Sequence, residues 1–158
     1  MNDPEQSSDR RGPSSPGRFI VFEGIDGAGK TVQIARARAT LEAQGQATVV
    51  LREPTDEGHG ARLRKLAEAG RDSLRPEEES ELFRLDRQRN VRDNILPALA
   101  RGAVVLQDRY YFSTMAYQGA LGLDPETIRV ENEAFAPPPD LAIYMDLSAE
   151  AAVERIRA

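Results

Sequence analysis

Arg18-Phe-Ile-Val-Phe-Glu-Gly-Ile-Asp-Gly-Ala-Gly-Lys-Thr31 joins an apolar run to a glycine-rich loop. Residues Arg18 to Glu23 carry β-branched and aromatic side chains and end at Gly24, which is the pattern of a buried parallel strand. From Lys30 to Gln44 the pattern is that of a helix, which Gly45 ends. The segment therefore predicts a strand, a tight loop and a helix in succession.

The loop matches the P-loop pattern of a glycine, four free positions and Gly-Lys-Thr, and it lies between a strand and a helix as that motif requires. Its glycines let successive backbone N–H groups turn toward a phosphate, and the helix start adds partial positive charge. Lys30 is expected to reach the β and γ phosphates, and Thr31 to offer its hydroxyl to Mg²⁺. The alternative is an incidental glycine turn. The predicted ATP-binding residues are Gly24, Ile25, Asp26, Gly27, Ala28, Gly29, Lys30 and Thr31.

The rest of the chain alternates strands with helices. Further strands are predicted over residues 46–51, 103–107 and 141–147, and further helices over 60–69, 76–102, 111–119, 125–135 and 149–158. Pro97 is expected to kink the long helix near its end. This alternation predicts an α/β three-layer sandwich with a parallel sheet and right-handed crossovers. Ligands gather at the carboxyl ends of such strands, where the sequence places Gly24, Arg52 and Asp108.

The composition limits the classes of function. The 158 residues suit one domain: residues 18–158 are expected to form it, after a disordered leader over residues 1–17 that is rich in Pro, Ser and Gly. A net charge of −5 gives no basic footprint for a nucleic acid polymer. The absence of cysteine excludes disulfides, thiolate zinc sites and a cysteine nucleophile. No apolar run approaches the roughly 20 residues that span a bilayer, so a soluble cytoplasmic protein is expected.

Four segments carry a specific resemblance. They are Phe22-Glu-Gly-Ile-Asp-Gly-Ala-Gly-Lys30, Arg52-Glu-Pro-Thr55, Glu81-Leu-Phe-Arg-Leu-Asp-Arg87 and Asp108-Arg-Tyr-Tyr-Phe-Ser-Thr-Met-Ala-Tyr-Gln-Gly119. In this order and spacing they resemble the signature of the thymidylate kinases, from Phe19 to the final helix. The resemblance implies a P-loop nucleoside monophosphate kinase fold, a homodimer, and phosphorylation of dTMP to dTDP with ATP and Mg²⁺.

Two residues of the third segment are candidates for binding the base. Phe83 and Arg87 are four positions apart, so on a helix they share a face, where a ring can stack on a pyrimidine and a guanidinium can donate to a carbonyl. The resemblance assigns both residues to thymine. The alternatives are core packing for Phe83 and a solvated charge for Arg87.

Charged residues near the strand ends are candidates for the phosphates and the metal. Arg52 and Arg109 can clamp the monophosphate of the acceptor, and the resemblance supports this role for Arg109 above all. Asp108 is expected to hold Mg²⁺ through water, although a buried aspartate can also be a helix cap or an ion-pair partner. The resemblance gives Asp26 the 3′-hydroxyl of the acceptor sugar. The predicted catalytic residues are thus Lys30, Asp108 and Arg109.

A short segment after Asp108 completes the predicted acceptor site. The resemblance places Ser113, Thr114, Tyr117 and Gln118 along the base and sugar of dTMP, with Tyr117 near the deoxyribose. There its bulk would disfavour a ribose 2′-hydroxyl.

The resemblance also carries expectations about parts of the family pattern that this sequence does not match. Some thymidylate kinases have an arginine in the P-loop, where this chain has Gly27. Others have it on a lid after the last helix predicted here, so the chain is expected to lack that lid and the last strand. Two other functions stay open: a related kinase for another nucleoside or nucleoside monophosphate, and a non-catalytic nucleotide-binding module.

Overall fold

A computed structural model of the chain describes residues 16–70 and 74–157. The predicted leader therefore falls outside the described residues, apart from its last two positions. Within the described ranges, four strands and seven helices alternate along the chain. The strands are β1 Arg18–Glu23, β2 Thr48–Arg52, β3 Val104–Asp108 and β4 Leu141–Tyr144. The helices are α1 Lys30–Ala43, α2 Gly58–Ala69, α3 Pro76–Asn90, α4 Leu96–Ala100, α5 Tyr111–Ala120, α6 Pro125–Glu133 and α7 Ala149–Arg157.

The four strands form one parallel sheet in the order β2-β3-β1-β4. Asp108 of β3 is level with Arg52 of β2 on one side and with Phe22 of β1 on the other. The carboxyl ends of three strands therefore meet at one edge of the sheet, as the sequence predicts. The predicted α/β fold with a parallel sheet is confirmed.

Alternate strand residues pack into two cores on opposite faces of the sheet. Phe19 and Val21 of β1 pack with Val105, Ile95 and Tyr110 on one face. On the other face the core consists of Phe22, Ile34, Val104 and Leu106, with Ile20, Ala37 and Leu41 packed against it. Strands β1 and β3 bury side chains on both faces of the sheet, and helices cover each face. The predicted three-layer arrangement is confirmed.

The helix predicted over residues 76–102 is interrupted, but not by a kink at Pro97 itself. After α3, residues Val91–Ile95 form a π-helical turn, and α4 follows. The backbone N–H of Leu96 donates to the carbonyl of Val91, five residues back. Proline has no N–H to continue the regular ladder, and the wider turn just before it absorbs the irregularity.

Strand β4 is shorter than predicted, ending at Tyr144 instead of Leu147. The N–H of Met145 still donates to the carbonyl of Glu23 at 2.8 Å, but there β1 ends and Gly24 begins the loop. Without a neighbouring strand, the chain leaves the sheet. Ser148 then accepts a hydrogen bond from the N–H of Ala151 at 3.3 Å, as expected of a helix cap. None of the helices in the described ranges combines the length and hydrophobicity needed to cross a bilayer.

Candidate active site

A cavity of about 720 Å³ opens at the carboxyl edge of the sheet. It lies between the P-loop, the second half of α2, helix α3 and helix α5, so it collects side chains from distant parts of the sequence. Twelve of the predicted site residues line it: Asp26, Gly27, Gly29, Lys30, Thr31, Arg52, Phe83, Asp108, Arg109, Ser113, Thr114 and Tyr117. The predicted residues that do not line it are Gly24, Ile25, Ala28, Arg87 and Gln118.

The P-loop holds its lysine under the loop. Lys30 is buried, and its Nζ donates to the carbonyl oxygens of Gly24 and Ile25 at 2.8 and 3.1 Å. Burial lowers the pKa of the Lys30 ammonium, and the nearby Arg109 guanidinium lowers it further. Helix α1 begins here, and among the described residues no side chain caps its first turn. The ammonium and the free N–H groups together form a site for an anion.

Gly27 shows how closely the last helix packs on this loop. Its φ is +81°, in the region that favours glycine, and a Cβ there would lie 2.8 Å from the carbonyl oxygen of Ala152 in α7. An arginine at this position, as some thymidylate kinases have, would therefore collide with α7. The same helix brings Arg155 to the cavity, where Nη1 approaches the Gly27 carbonyl at 3.4 Å.

One carboxylate oxygen of Asp108 lacks a hydrogen-bond donor among the described residues. Its Oδ1 is buried and has no hydrogen-bond partner in the described part of the chain. Burial raises the pKa of the Asp108 carboxyl, against the opposing pull of Lys30 and Arg109. A buried oxygen without a donor suits a cation or its bound water. Within residues 16–70 and 74–157, neither a helix cap nor a hydrogen-bonded ion pair accounts for this oxygen.

The surroundings of Asp108 suit Mg²⁺ in particular. No cluster of three or more His, Cys, Asp or Glu side chains in the described ranges could hold a metal by itself. Mg²⁺ in nucleotide enzymes commonly takes one or two protein oxygens and completes its shell with phosphates and water. Asp108 and the hydroxyl of Thr31 line the same cavity and are such oxygens.

Arg109 is held on several sides. Its backbone has φ +67°, which is rare outside glycine, and its N–H donates to the Phe22 carbonyl at 2.9 Å. Its Nη2 donates to Asp26 Oδ1 at 2.7 Å, and its Nη1 donates to Ser113 Oγ at 3.0 Å. Its guanidinium carbon lies 5.6 Å from the centre of the Tyr117 ring. An uncommon backbone conformation fixed by many contacts is frequent at functional sites.

A buried polar group, which we call the Arg87 cluster, consists of Glu53, Arg87, Asn90, Thr114 and Asn132. Arg87 Nε donates to Glu53 Oε2 at 2.8 Å, Nη1 to Asn132 Oδ1 at 2.6 Å and Nη2 to Thr114 Oγ1 at 3.2 Å. Asn90 Nδ2 donates to the other oxygen of Glu53 at 3.0 Å. Burial raises the pKa of the Glu53 carboxyl, although Arg87 opposes the shift.

The Arg87 cluster changes how the predicted base contact is understood. The Arg87 side chain is only 1% exposed and lies behind Thr114, which itself lines the cavity. A direct hydrogen bond from Arg87 to a base stays a prediction, since the buried guanidinium does not line the cavity. Gln118 is also buried away from the cavity, where its Nε2 donates to Glu79 Oε2 at 2.8 Å and joins α5 to α3.

Two further arginines line the same cavity as Phe83. Arg52 is more than half exposed and pairs with Asp56 at 2.5 Å. Arg64 also lines the cavity, and its Nε donates to the Thr55 carbonyl at 3.3 Å. The sequence analysis missed Arg64 and Arg155. For Arg64 a signal existed, because it lies on the helix directly after the Arg52 loop, whereas nothing in the sequence indicates that α7 packs on the P-loop.

The fold and the site define a P-loop protein of the nucleotide kinase class, with a phosphate loop at one side of a cavity and arginines at the other. Comparison with known proteins identifies the family. The thymidylate kinase family model matches residues 22–158, and the chain belongs to the thymidylate kinase family, a family of phosphotransferases.

Individual relatives agree with this assignment. A thymidylate kinase of Akkermansia muciniphila is 53% identical over 140 residues, which cover 89% of this chain and 67% of that protein. A probable thymidylate kinase of Archaeoglobus fulgidus is 48% identical over 139 residues, covering 88% and 69%. The chain thus spans about two thirds of the length of these relatives. The solved thymidylate kinase of Ehrlichia chaffeensis superposes with a TM-score of 0.76 at 31% identity, over 90% of this chain and 83% of that one.

Proposed function

We propose that the chain transfers the γ-phosphoryl group of ATP to dTMP and releases ADP and dTDP. The observation that carries the proposal is the pairing of two anion sites in one cavity, with Lys30 and the N-terminus of α1 on one side and Arg109 and Arg52 on the other. Two such sites suit two phosphorylated substrates whose phosphates must approach each other. Membership of the thymidylate kinase family supports dTMP as the acceptor.

The donor half of the site is the P-loop. Lys30 already lies against the loop with a lowered pKa, so the negative phosphates of ATP would stabilise its charged form. The uncapped N–H groups of α1 would bind the same phosphates. Thr31 and Asp108 would hold Mg²⁺, which when bound neutralises charge on the transferring group.

The acceptor half begins with the phosphate of dTMP. Arg109 and Arg52 would bind it with planar, charge-assisted hydrogen bonds. An oxygen of this phosphate then attacks the γ-phosphorus of ATP, while the bond from that phosphorus to the β-phosphate oxygen breaks. The attacking oxygen belongs to a phosphate that is already anionic, so the step needs positioning and charge neutralisation more than a general base.

The nucleoside of dTMP would lie along α3 and α5. The Phe83 ring borders the cavity and can stack on thymine, and Thr114 can hydrogen-bond its edge. Because Thr114 accepts from Arg87, its own hydroxyl proton is free to point into the cavity. The Asp26 carboxylate, which also accepts from Arg109 Nη2, would accept from the 3′-hydroxyl, and Tyr117 lines the cavity where the sugar would pass.

The direct test is a phosphoryl-transfer assay with purified chain, ATP, Mg²⁺ and dTMP, with nucleotides separated by chromatography. The proposal predicts dTDP formation that requires Mg²⁺, with dUMP and dCMP as much poorer acceptors. Equal use of several monophosphates would instead indicate a related kinase of other specificity. Binding of ATP without transfer to any monophosphate would contradict the proposal and favour a nucleotide-binding module.

We propose in addition that the protein works in the cytoplasm as a homodimer. Both proposals rest on the family resemblance, and the cysteine-free composition agrees with a reducing compartment. Light scattering of the purified chain measures the mass directly, and a monomer at micromolar concentration would contradict the dimer.

A further inference from the structure

Glu23, the last residue of β1, is buried directly behind the acceptor-phosphate arginine. Only 8% of it is exposed, and its carboxylate points toward the start of α5. Oε1 accepts hydrogen bonds from the N–H of Tyr110 at 2.8 Å and from the N–H of Ser113 at 3.3 Å. Oε2 accepts from the Ser113 hydroxyl at 2.6 Å. No part of the proposed reaction uses this carboxylate directly.

These bonds fix the direction of the Ser113 hydroxyl. A serine hydroxyl has one proton to donate and lone pairs to accept with. The short bond to Glu23 takes the proton, so the oxygen presents a lone pair to Arg109 Nη1, which donates to it at 3.0 Å. The result is a charge-assisted chain from the carboxylate through the hydroxyl to the guanidinium.

The same carboxylate holds the helix that carries Ser113. Tyr110, at the N-cap position of α5, makes no capping bond with its side chain. Glu23 replaces that cap from a neighbouring strand, and its negative charge suits the positive end of the helix. Ser113 is therefore fixed both in its backbone and in its hydroxyl.

We propose that Glu23 is a positioning residue for Arg109. It acts through Ser113 to hold Nη1 of the guanidinium in place, so that the group stays oriented toward the acceptor phosphate. This inference rests on the proposed function. Arg109 Nη2 is paired with Asp26, whose side chain is 81% exposed and which can give way to a substrate. The bond from Nη1 to Ser113 keeps the guanidinium in place when Asp26 moves away. This proposal also gives Ser113 a role different from the direct dTMP contact expected from the sequence.

Glu23→Gln is the informative variant because it reverses one hydrogen bond. The amide oxygen can still cap α5, but the amide NH₂ would donate to Ser113 Oγ. Ser113 Oγ would then have to accept from both the amide and Arg109, and its proton would lose the carboxylate that orients it, so the charge-assisted chain to the guanidinium is broken. Ser113→Ala removes the same connection and leaves the Glu23 bond to Tyr110 intact, so it reports on the connection even if Glu23→Gln unfolds the chain.

The readout compares dTMP with thymidine, which lacks the phosphate, by isothermal titration calorimetry on the purified chain. Both variants should bind dTMP about tenfold more weakly, since a hydrogen bond to a charged group is worth about that factor. Thymidine affinity and the KM for ATP should stay unchanged, while the KM for dTMP rises. Asp124→Asn, which weakens the cap of α6 away from the cavity, is the matched control and should change neither affinity.

A double-mutant cycle separates positioning from general damage. In an Arg109→Ala background, Glu23→Gln should weaken dTMP binding by less than about twofold, because its effect passes through Arg109. Full additivity, or equal losses of dTMP and thymidine affinity, would overturn this inference while leaving the proposed function intact. Failure of the unmodified chain to bind either ligand would overturn the proposed function and this inference with it.

Discussion

Two groups of polar side chains lie in the cavity wall or directly behind it, and they differ in how their hydrogen bonds are satisfied. In the Arg87 cluster the guanidinium nitrogens and both oxygens of Glu53 have partners within the chain. Around the P-loop, Asp108 Oδ1 is buried without a partner in the described ranges, and Lys30 is buried against carbonyl oxygens with a lowered pKa. Both groups contain buried charge, yet only in the Arg87 cluster does each of these charged nitrogen and oxygen atoms have a hydrogen-bond partner.

The difference separates residues that stabilise the fold from residues that await a ligand. A buried charge that is fully paired contributes little when present but costs much when its partner is removed. A buried charge that lacks a partner is destabilising until a ligand supplies one. The Arg87 cluster should therefore govern stability, and the P-loop residues should govern binding and turnover.

The largest expected effect on stability follows from Arg87→Met. This variant leaves the buried Glu53 carboxylate without its cation and should lower the free energy of unfolding by about 3–5 kcal/mol. Urea denaturation followed by circular dichroism measures the change. Arg84→Met on the same helix is the control: Arg84 pairs with Glu81 at the surface, and its loss should cost less than about 1 kcal/mol. Equal losses of unfolding free energy in Arg87→Met and Arg84→Met would contradict the claim that the buried Arg87 cluster governs stability.

Replacing Lys30 by methionine should change stability little and phosphoryl transfer strongly. Lys30→Met keeps the apolar stem and removes a charge that is costly to bury, which offsets the loss of the bonds to the Gly24 and Ile25 carbonyls, so the unfolding free energy should change by less than about 1 kcal/mol. Phosphoryl transfer should fall about 10²–10³-fold, as when an electrostatic donor to the transition state is lost. Lys65→Met, at the exposed other lysine, should leave the rate unchanged. A large stability loss in Lys30→Met would contradict the prediction.

Phe83 should affect binding by a smaller amount. Loss of a stacking ring costs about 1–3 kcal/mol per base, so Phe83→Ala should weaken dTMP binding roughly ten- to hundredfold and leave ATP binding unchanged. Tyr144→Ala, at an exposed ring on β4, is the control. Calorimetric titration with each nucleotide measures both affinities. If Phe83→Ala binds dTMP normally, the ring is a packing residue, as the sequence also allowed.

The smallest effect concerns pH. The pKa of Asp108 in the free chain is raised above 3.8, the ordinary aspartate value, chiefly by burial. Mg²⁺ favours the ionised carboxyl, so Mg²⁺-dependent ATP affinity should fall as the pH drops through this raised pKa. The contribution to stability has the opposite sign: it is greatest below 3.8 and is lost as the pH rises through the folded-state pKa. In Asp108→Asn the Mg²⁺-linked pH dependence should disappear, and the pH dependence of stability should shrink to the share of other buried carboxyls such as Glu53, whose pKa burial also raises; unchanged profiles would assign both effects to another group.

The sequence was sufficient for the framework of the site. Strand β1 has the predicted bounds, because an apolar run followed by a glycine turn leaves few alternatives. The meeting of Arg52 and Asp108 also follows, since the carboxyl ends of parallel strands share one edge.

Long-range partners could not be predicted in the same way. Helical spacing places Phe83 and Arg87 on one face, but it does not say what lies opposite. The partners of Arg87 at Glu53 and Asn132 are 34 and 45 positions away in sequence. Glu23 was understood only as a strand residue, because its capping of α5 joins positions 87 apart.

Thermal unfolding of the unmodified chain, Lys30→Met and Arg87→Met, each with and without dTMP, Mg²⁺ and a non-hydrolysable ATP analogue, separates the two regions in one experiment. We predict that ligands raise the Tm of the unmodified chain, that Lys30→Met keeps its ligand-free Tm but loses most of the ATP-analogue shift, and that Arg87→Met has a lower Tm from the start. A ligand-free Tm that falls equally in both variants, or an undiminished ligand shift in Lys30→Met, would contradict the division of the cavity into a stabilising and a ligand-binding side.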